Sequence, residues 1–427
     1  MHPIIKPSAI ALLVIAGHTH AAGFQLDEQS ATGLGRAFAG EAAIADNASV
    51  LGRNVGAITR FNTPTLSTGV IYLQPDVNIH GQVQDITGIQ DANANDIAGN
   101  AWIPNLYFVT PLDERWSLGL SASSHYGLGI EMPQGYDAGH FGNISDIKTI
   151  DLGMALAYRL NHMLSIGMGL SIVQGEGEVG GTYPTSLTTG QSVIAKHVKG
   201  DGSELGWTSG ILLAPDEQTR IGLTYRNGVN LKLKGDASVS QPVAPGKFVT
   251  IRDHGSLTLP LPATAELAVY HELNDRLALH GGLNWTDWSK FESLTADLDR
   301  LGMLPIKEEH WQDSWRYSLG MTYQLTSKWQ LRSGVAYDQS PVTADNRTIS
   351  IPDADRIWYS AGLGYRHSKA LTIDVGLTYV DGKRVSVHET LNQPIAVNGQ
   401  ALNYRSDFQG YSEGNAWLAG AQLSYLF

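Results

Sequence analysis

"RYSLGMTYQL" (Arg316–Leu325) reads two ways at once. On an extended chain Tyr317, Leu319, Met321, Tyr323 and Leu325 share one side, and Arg316, Ser318, Gly320, Thr322 and Gln324 share the other, because successive strand side chains point to opposite faces. "LTIDVGLTYV" (Leu371–Val380) sets Leu371, Ile373, Val375, Leu377 and Tyr379 against Thr372, Asp374, Gly376 and Thr378. "IDLGMALAYRL" (Ile150–Leu160) does the same, with Asp151, Gly153 and Arg159 on the polar side. Runs of about ten residues alternating this strictly are what a tilted membrane-crossing strand requires. A soluble sandwich alternates too, so the pattern alone does not choose.

The connections choose. Tight polar turns lie near Asp113, Asn161, Asp216, Asn274, Ser327 and His367, and between them run long stretches: Asp76–Asn100, Glu131–Lys148, Gly175–Leu205, Phe291–Asp313, Asp338–Asp355 and Asp381–Asn415. Short and long alternate, as in an outer-membrane barrel with short periplasmic turns and long external loops. Segments counted from "TLSTGVIYL" to "AWLAGAQLSYLF" number fourteen, an even count that leaves both ends periplasmic. The last strand ends on an aromatic, Phe427, on the face of Trp417, Leu423 and Tyr425. It has to close on the first strand, since no sheet edge can stay unpaired in lipid. The expected fold class is all-β, a fourteen-stranded antiparallel transmembrane β-barrel.

Export and composition agree. One lysine, the apolar run Ala9–Gly17 and the small residues Thr19 and Ala21 make a secretory signal over residues 1–21, too short to span a bilayer. The mature chain starts at Ala22. With no cysteine, disulfides and thiolate chemistry are excluded. Lys+Arg 29 against Asp+Glu 41 gives a charge of −12, a poor match for nucleic acid. Forty-seven glycines, 17 tyrosines and 10 tryptophans with only 16% charged residues fit extended sheet with aromatic girdles.

Ahead of the first strand lies "GFQLDEQSATGLGRAFAGEAAIADNAS" (Gly23–Ser49), which follows neither period. Phe38 stands where a dinucleotide fingerprint needs its third glycine, and no phosphate-binding G-x-x-x-x-G-K-[ST] occurs. The lumen of a fourteen-stranded barrel is wider than its own side chains fill. Residues 22–63 are therefore expected to form a plug, or hatch, inside a barrel of residues 64–427.

"AGFQLDEQSATGLGRAFAGEAAIAD", "QPDVNIHG", "DQSPVTADNRTISIPDADRIWYSAG" and "SEGNAWLAG…YLF" closely resemble the FadL family of outer-membrane long-chain fatty-acid transporters, from Ala22 to Phe427. The resemblance implies passive uptake of a hydrophobic ligand in the outer membrane, from an external groove through a hatch-gated pocket to a lateral opening. It matches Phe24 to the phenylalanine lining the pocket, and Lys307 to the basic residue facing the ligand's carboxylate. It also matches His125, Tyr126 and Gly127 to an inward kink of the third strand beside the opening. The hatch motif Asn-Pro-Ala stands here as Asn54-Val55-Gly56, keeping the asparagine and losing the proline. The family's second basic residue falls near Val179–Tyr183, where this chain has none.

Plainer readings stand beside these. Lys307 sits among Glu308 and Glu309 and reads equally as a solvated loop lysine; Phe24 reads as ordinary hatch packing and Gly127 as a bulge glycine. The missing second base keeps an alternative open, uptake of uncharged hydrophobics such as alkanes or aromatic hydrocarbons. A surface receptor or adhesin is the third class. No G-x-S-x-G or H-E-x-x-H is present, Ser124 and His125 point to opposite faces, and Asp91, Asp96 and Asp381 fit no calcium loop. No enzyme, cofactor or metal is expected; the expected partners are the hydrophobic ligand and outer-membrane lipid, and the chain is expected to be a monomer.

Overall fold

The computed structural model describes residues 23–188, 192–244, 247–397 and 400–427; the signal segment 1–21 and Ala22 lie outside them. Fourteen antiparallel strands form the wall: β1 (Thr65–Asp85), β2 (Ala101–Pro111), β3 (Trp116–Ser123, continued by Gly127–Glu131), β4 (Ile144–Arg159), β5 (Leu164–Thr182), β6 (Ile194–Leu213), β7 (Thr219–Arg226 and Val229–Ala244), β8 (Lys247–Leu261 and Thr264–Asn274), β9 (Leu277–Thr286), β10 (Ser314–Gln324), β11 (Trp329–Asp338), β12 (Arg356–Arg366), β13 (Leu371–Gly382) and β14 (Gln400–Leu426). Each pairs with its sequence neighbours. Pairing of Thr65 with Leu426 through Gln84 with Asp407 closes the ring.

The faces are inverted relative to a soluble protein. Leu319 is 68% exposed and Met321 42%, while Arg316 and Ser318 on the same strand are buried. Val375 and Leu377 face out, and Asp374 and Thr378 are covered. An outward apolar belt against hydrocarbon explains this arrangement. Aromatic pairs on neighbouring strands mark both rims, as girdle residues do. Trp116–Tyr158 (4.7 Å) and Trp329–Tyr365 (4.5 Å) lie near the short turns. Tyr72–Trp102 (4.6 Å) and Tyr379–Trp417 (4.9 Å) lie at the other end.

All six short turns share one device. Asp113, Asn161, Asp216, Asn274, Thr326 and Ser368 each accept the backbone N–H groups two and three residues on, a side-chain mimic of a backbone turn. The long connections depart from the sequence expectation of loops. Much of Asp76–Asn100, Gly175–Leu205 and Asp381–Asn415 is sheet: β1 continues to Asp85 and turns into Gly88–Asp91, β5 and β6 stay paired up to Thr182 and Ile194, and Val385–Val397 pairs with β14. Alternation continues there with a covered apolar face, Val77, Ile79 and Val83 on β1, so the ladder has no reason to stop. Ser293–Leu298 and Gly302–Glu308 form a further hairpin between β9 and β10.

The N-terminal segment carries α1 (Ala31–Leu34), α2 (Glu41–Ile44) and 3-10 turns at Ala48–Gly52 and Val55–Arg60. It packs against inward residues of the wall and is buried over most of its length. Its ties are polar. Arg316 of β10 pairs with Asp27 (3.1 Å) and donates to the Ala37 carbonyl, Glu266 of β8 accepts from the Ala42 N–H, and Gln422 of β14 accepts from the Ala31 N–H. The approach is close: a Cβ on Gly334 of β11 would stand 2.1 Å from the Arg36 carbonyl oxygen.

Candidate functional site

The wall is interrupted at β3. Its lower part pairs with β2 from Ser117–Pro111 to Ala122–Leu106. Above that, Ser124–Tyr126 leave the sheet and Gly127–Glu131 pairs with β4, with Ile130 also bridging Ala98 ahead of β2. The facing half of β2, Ala101–Asn105, pairs among the described residues only with β1. The two sides meet again higher up, where the Glu131 N–H donates to the Ile97 carbonyl (2.9 Å). A window between β2 and β3 results.

What holds the kink is the start of the N-terminal segment. The Gly127 N–H donates to the Phe24 carbonyl (2.8 Å), the Leu26 N–H donates to the His125 carbonyl (2.8 Å), and Gln25 bridges Tyr126. Two backbone groups that β2 leaves without partners are satisfied from inside the lumen, which buried amides and carbonyls require. Side chains hold the far side. Tyr126 donates its hydroxyl to the Pro262 carbonyl (2.6 Å) between the two halves of β8. His125 lies between Asp151 of β4 (Nδ1 to Oδ2, 2.7 Å) and Arg226 of β7 (Nη2 to Nε2, 2.9 Å). Arginine only donates, so Nε2 accepts, and the ring proton sits on Nδ1 and goes to Asp151.

Phe24 itself is fully buried in a cluster of rings. Trp288 lies 4.6 Å from it, Phe291 5.3 Å, Trp311 5.8 Å and Tyr126 6.3 Å, mostly edge-on. Such pairs contribute about 0.5–1.5 kcal/mol each beyond area burial. Gly23, at φ +63°, presses the chain onto them: a Cβ there would stand 2.5 Å from Trp311 and 2.7 Å from Trp288. The rings belong to a larger apolar cluster with Leu128, Phe141, Leu231, Leu257, Ile349 and Phe408. An apolar cluster across this part of the lumen is the reverse of what a water-filled channel needs.

Lys307 stands at the edge of that cluster, in the hairpin Gly302–Glu308. Its side chain is 14% exposed, so it is no solvated loop lysine. Its Nζ pairs with Glu389 Oε1 (3.1 Å) and donates to the Phe141 carbonyl (3.2 Å) and to Ser350 Oγ. Glu389 Oε2 accepts from the Ile349 N–H (3.0 Å). Of its sequence neighbours, Glu308 faces solvent and pairs with His310, whereas Glu309 is buried and accepts from the Trp311 indole (2.9 Å). Burial pushes the Glu309 carboxyl up to about 7. Phe141 and Trp311 thus belong to both environments, greasy on the ring side and polar at a backbone or indole group.

Residues 12–427 match the family described as "Outer membrane protein transport protein (OMPP1/FadL/TodX)". The chain belongs to the FadL/TodX family. It is 40% identical over 449 residues to the long-chain fatty acid transport protein of Escherichia coli O6:H1, covering 98% of this chain and 97% of that one. A Pseudomonas aeruginosa FadL homologue superposes with a TM-score of 0.83 at 23% identity, over 95% of this chain and 100% of its own. The Pseudomonas putida toluene transporter TodX does so at 0.67 and 17% identity, over 95% and 100%; both likenesses speak to fold. The barrel resides in the outer membrane.

Within this FadL/TodX barrel the sequence-matched residues fall in three places. Phe24, His125, Tyr126 and Gly127 meet at the kink, and Lys307 lies beyond the aromatic cluster. Asn54 is elsewhere: it caps the turn Val55–Arg60, accepting from the Gly56 N–H (2.9 Å), and donates to the Ala42 (2.7 Å) and Ile211 (2.9 Å) carbonyls. It ties two pieces of the N-terminal segment to β6, which does not need the proline this chain lacks. Sequence reading passed over Glu389, Asp151, Arg226 and the aromatics Trp288, Phe291 and Trp311. Only the last three left a signal, in "WSKF" and "HWQD": indoles and a phenyl ring in a stretch that a solvated loop would fill with polar residues.

Proposed function

We propose that this protein is a passive outer-membrane transporter for long-chain fatty acids. The ligand is captured outside, its tail enters the pocket now occupied by the Phe24 ring, and it leaves sideways between β2 and β3. Residues 22–63 act as the hatch, in a monomeric barrel that has lost its signal peptide. What carries the reading is one observation: a largely covered ammonium, Lys307, at the edge of the apolar cluster built around Phe24. The pairing suits an amphiphile. Each methylene taken from water contributes about 0.8 kcal/mol, so a sixteen-carbon tail gains roughly 10 kcal/mol or more. The carboxylate, leaving water beside apolar walls, needs a charged donor. The name of the Escherichia coli relative supports the same substrate class.

Uptake of uncharged hydrophobics has one observation in its favour: Lys307 is already neutralised by Glu389. The two readings separate on binding of oleate and of hexadecane to wild type, Lys307→Ala and Phe24→Ala at fixed salt. Lys307→Ala is expected to weaken oleate roughly ten- to a hundred-fold, the loss of a hydrogen bond to a charged group, and to leave hexadecane alone. Phe24→Ala alters both, because it acts through shape. Unchanged oleate binding in Lys307→Ala would hand the pocket to hydrocarbons.

A further inference from the structure

Lys307 is one of two lysines that converge on the same strand of the external hairpin. Lys196, near the start of β6, donates its Nζ to the Ile306 carbonyl (2.6 Å) and lies 3.5 Å from the Pro305 carbonyl. In register it stands directly opposite Gly181 of β5. A Cβ at Gly181 would lie 4.0 Å from Lys196 Cε, with the nearest backbone atoms, the carbonyl oxygens of Gly139 and His140, at 3.6 Å. The lysine stem therefore lies over a position that has no side chain of its own. The stretch Val179–Tyr183 holds no basic residue, and the neighbouring strand supplies one to that place in space.

The charges around this point do not balance. Two ammonium groups are served by Glu389, which is bound to Lys307. Glu309 is buried, one of its carboxyl oxygens has no partner among the described residues, and burial raises its affinity for a proton. Lys196 holds two carbonyl oxygens and, among the described residues, no carboxylate. An ammonium has three hydrogens to donate, and carbonyl dipoles compensate its charge only in part. Glu389 and a partly protonated Glu309 leave the two ammonium groups short of negative charge. Ile306, whose carbonyl Lys196 holds, is buried in the apolar cluster, and partly buried Val179, Leu304 and Leu391 pack against that cluster.

We propose that Lys196 is the second cation of the carboxylate site, reaching it from β6 across Gly181, and that with Lys307 it makes the pocket prefer an ionised fatty acid to its uncharged counterpart. The proposal rests on the fatty-acid reading above.

The test measures binding of oleate and of methyl oleate to the full-length barrel in non-ionic detergent. The proteins are wild type, Lys196→Ala, Lys196→Met, Lys307→Ala and the double variant Lys196→Ala/Gly181→Arg, each checked for folding by heat-modifiable gel mobility. Lys196→Ala and Lys196→Met are expected to weaken oleate by roughly tenfold and to leave methyl oleate within about twofold. Arginine at 181 should recover most of the loss by returning the charge from β5. Equal losses for both ligands would make Lys196 a strap on the hairpin and overturn the proposal, as would recovery of oleate binding in Lys196→Met alone. A loss in Lys307→Ala with none in either Lys196 variant would overturn it while leaving the fatty-acid reading intact. No oleate-specific loss in any variant would sink both.

Discussion

Glu389→Gln should tighten oleate binding. In the empty protein Glu389 holds Lys307 at 3.1 Å, with both side chains about 15% exposed. An incoming carboxylate has to share the ammonium with an ion already there, and it meets a like charge across it. At the intermediate polarity of such a site, unit charges 4 Å apart interact by about 4 kcal/mol. Only part of this returns to the ligand, because Lys307 keeps the Phe141 carbonyl and Ser350 throughout. A gain of about 1–2 kcal/mol follows, which is roughly five- to thirty-fold in Kd. The glutamine preserves shape, and its carbonyl can still accept from the Ile349 N–H. Titration of oleate into wild type and Glu389→Gln in non-ionic detergent reads the effect, with oleyl alcohol as the uncharged control at unchanged affinity. If the variant instead loses oleate affinity as Lys307→Ala does, Glu389 positions the lysine and does not compete with the ligand, and the reasoning fails.

Further outcomes are expected. Oleate affinity should fall as pH rises from 6 to 8, because Glu309 gains its charge through about 7 beside Lys307 and next to Glu389, and Lys196, pushed down to about 8 by burial and by Lys307, begins to lose its own; Glu309→Gln should reduce the slope between pH 6 and 7, and an equal slope there in the variant would locate the titration elsewhere. Cysteines placed in this cysteine-free chain at Ile89, in the β1 hairpin, and at His162, in a short turn, should label oppositely with an impermeant reagent on intact cells, Ile89 first. Arginine at Met321, on the lipid face, should cost roughly 2–4 kcal/mol of folding free energy. At Thr322, which faces the lumen and meets His280 at 2.8 Å, a change to Ser should cost far less, and comparable losses in a refolding assay would contradict the face assignment.

How much of this was legible depended on the range of the physics involved. The face of Met321 follows from the strand period, and the turn at Asn161 from the chemistry of its own side chain, so both could be read locally. Strand count followed because each turn announces itself. The outer sheets were missed because long stretches between turns were read as loops, although Val77, Ile79 and Val83 continue the alternation of β1 in plain view. The pocket was legible only in part. Lys307 and Glu389 are 82 positions apart and Lys196 lies 111 before Lys307, and no local rule says which loop carboxylate a loop lysine will meet. Register supplies that information, and register is a property of the closed sheet.

Coupling between pocket and window follows from where Phe24 sits. Its ring fills the aromatic cluster, and its carbonyl holds the Gly127 N–H, while Leu26 two residues on holds His125. A tail that takes the ring's space competes with contacts at one end of a short segment whose other groups pin the kink. The rest of residues 23–63 is fastened to the wall differently, by ion pairs and hydrogen bonds such as Asp27 with Arg316, Arg53 and the Ala42 N–H with Glu266, and Asn54 with β6. Breaking any one of these leaves a buried charge or amide unpaired, a cost of several kcal/mol for a charge; a shift at Phe24 gives up two neutral backbone hydrogen bonds to β3 and uncovers rings, which a bound alkyl chain covers again. On the transport reading the smallest movement that admits ligand is local to Gly23–Leu26, with Asp27 onward staying in place. The same four residues carry the two backbone hydrogen bonds that hold the kink of β3, so on the transport reading entry of the tail and loosening of the window are one event, with the remainder of the N-terminal segment as its fixed support.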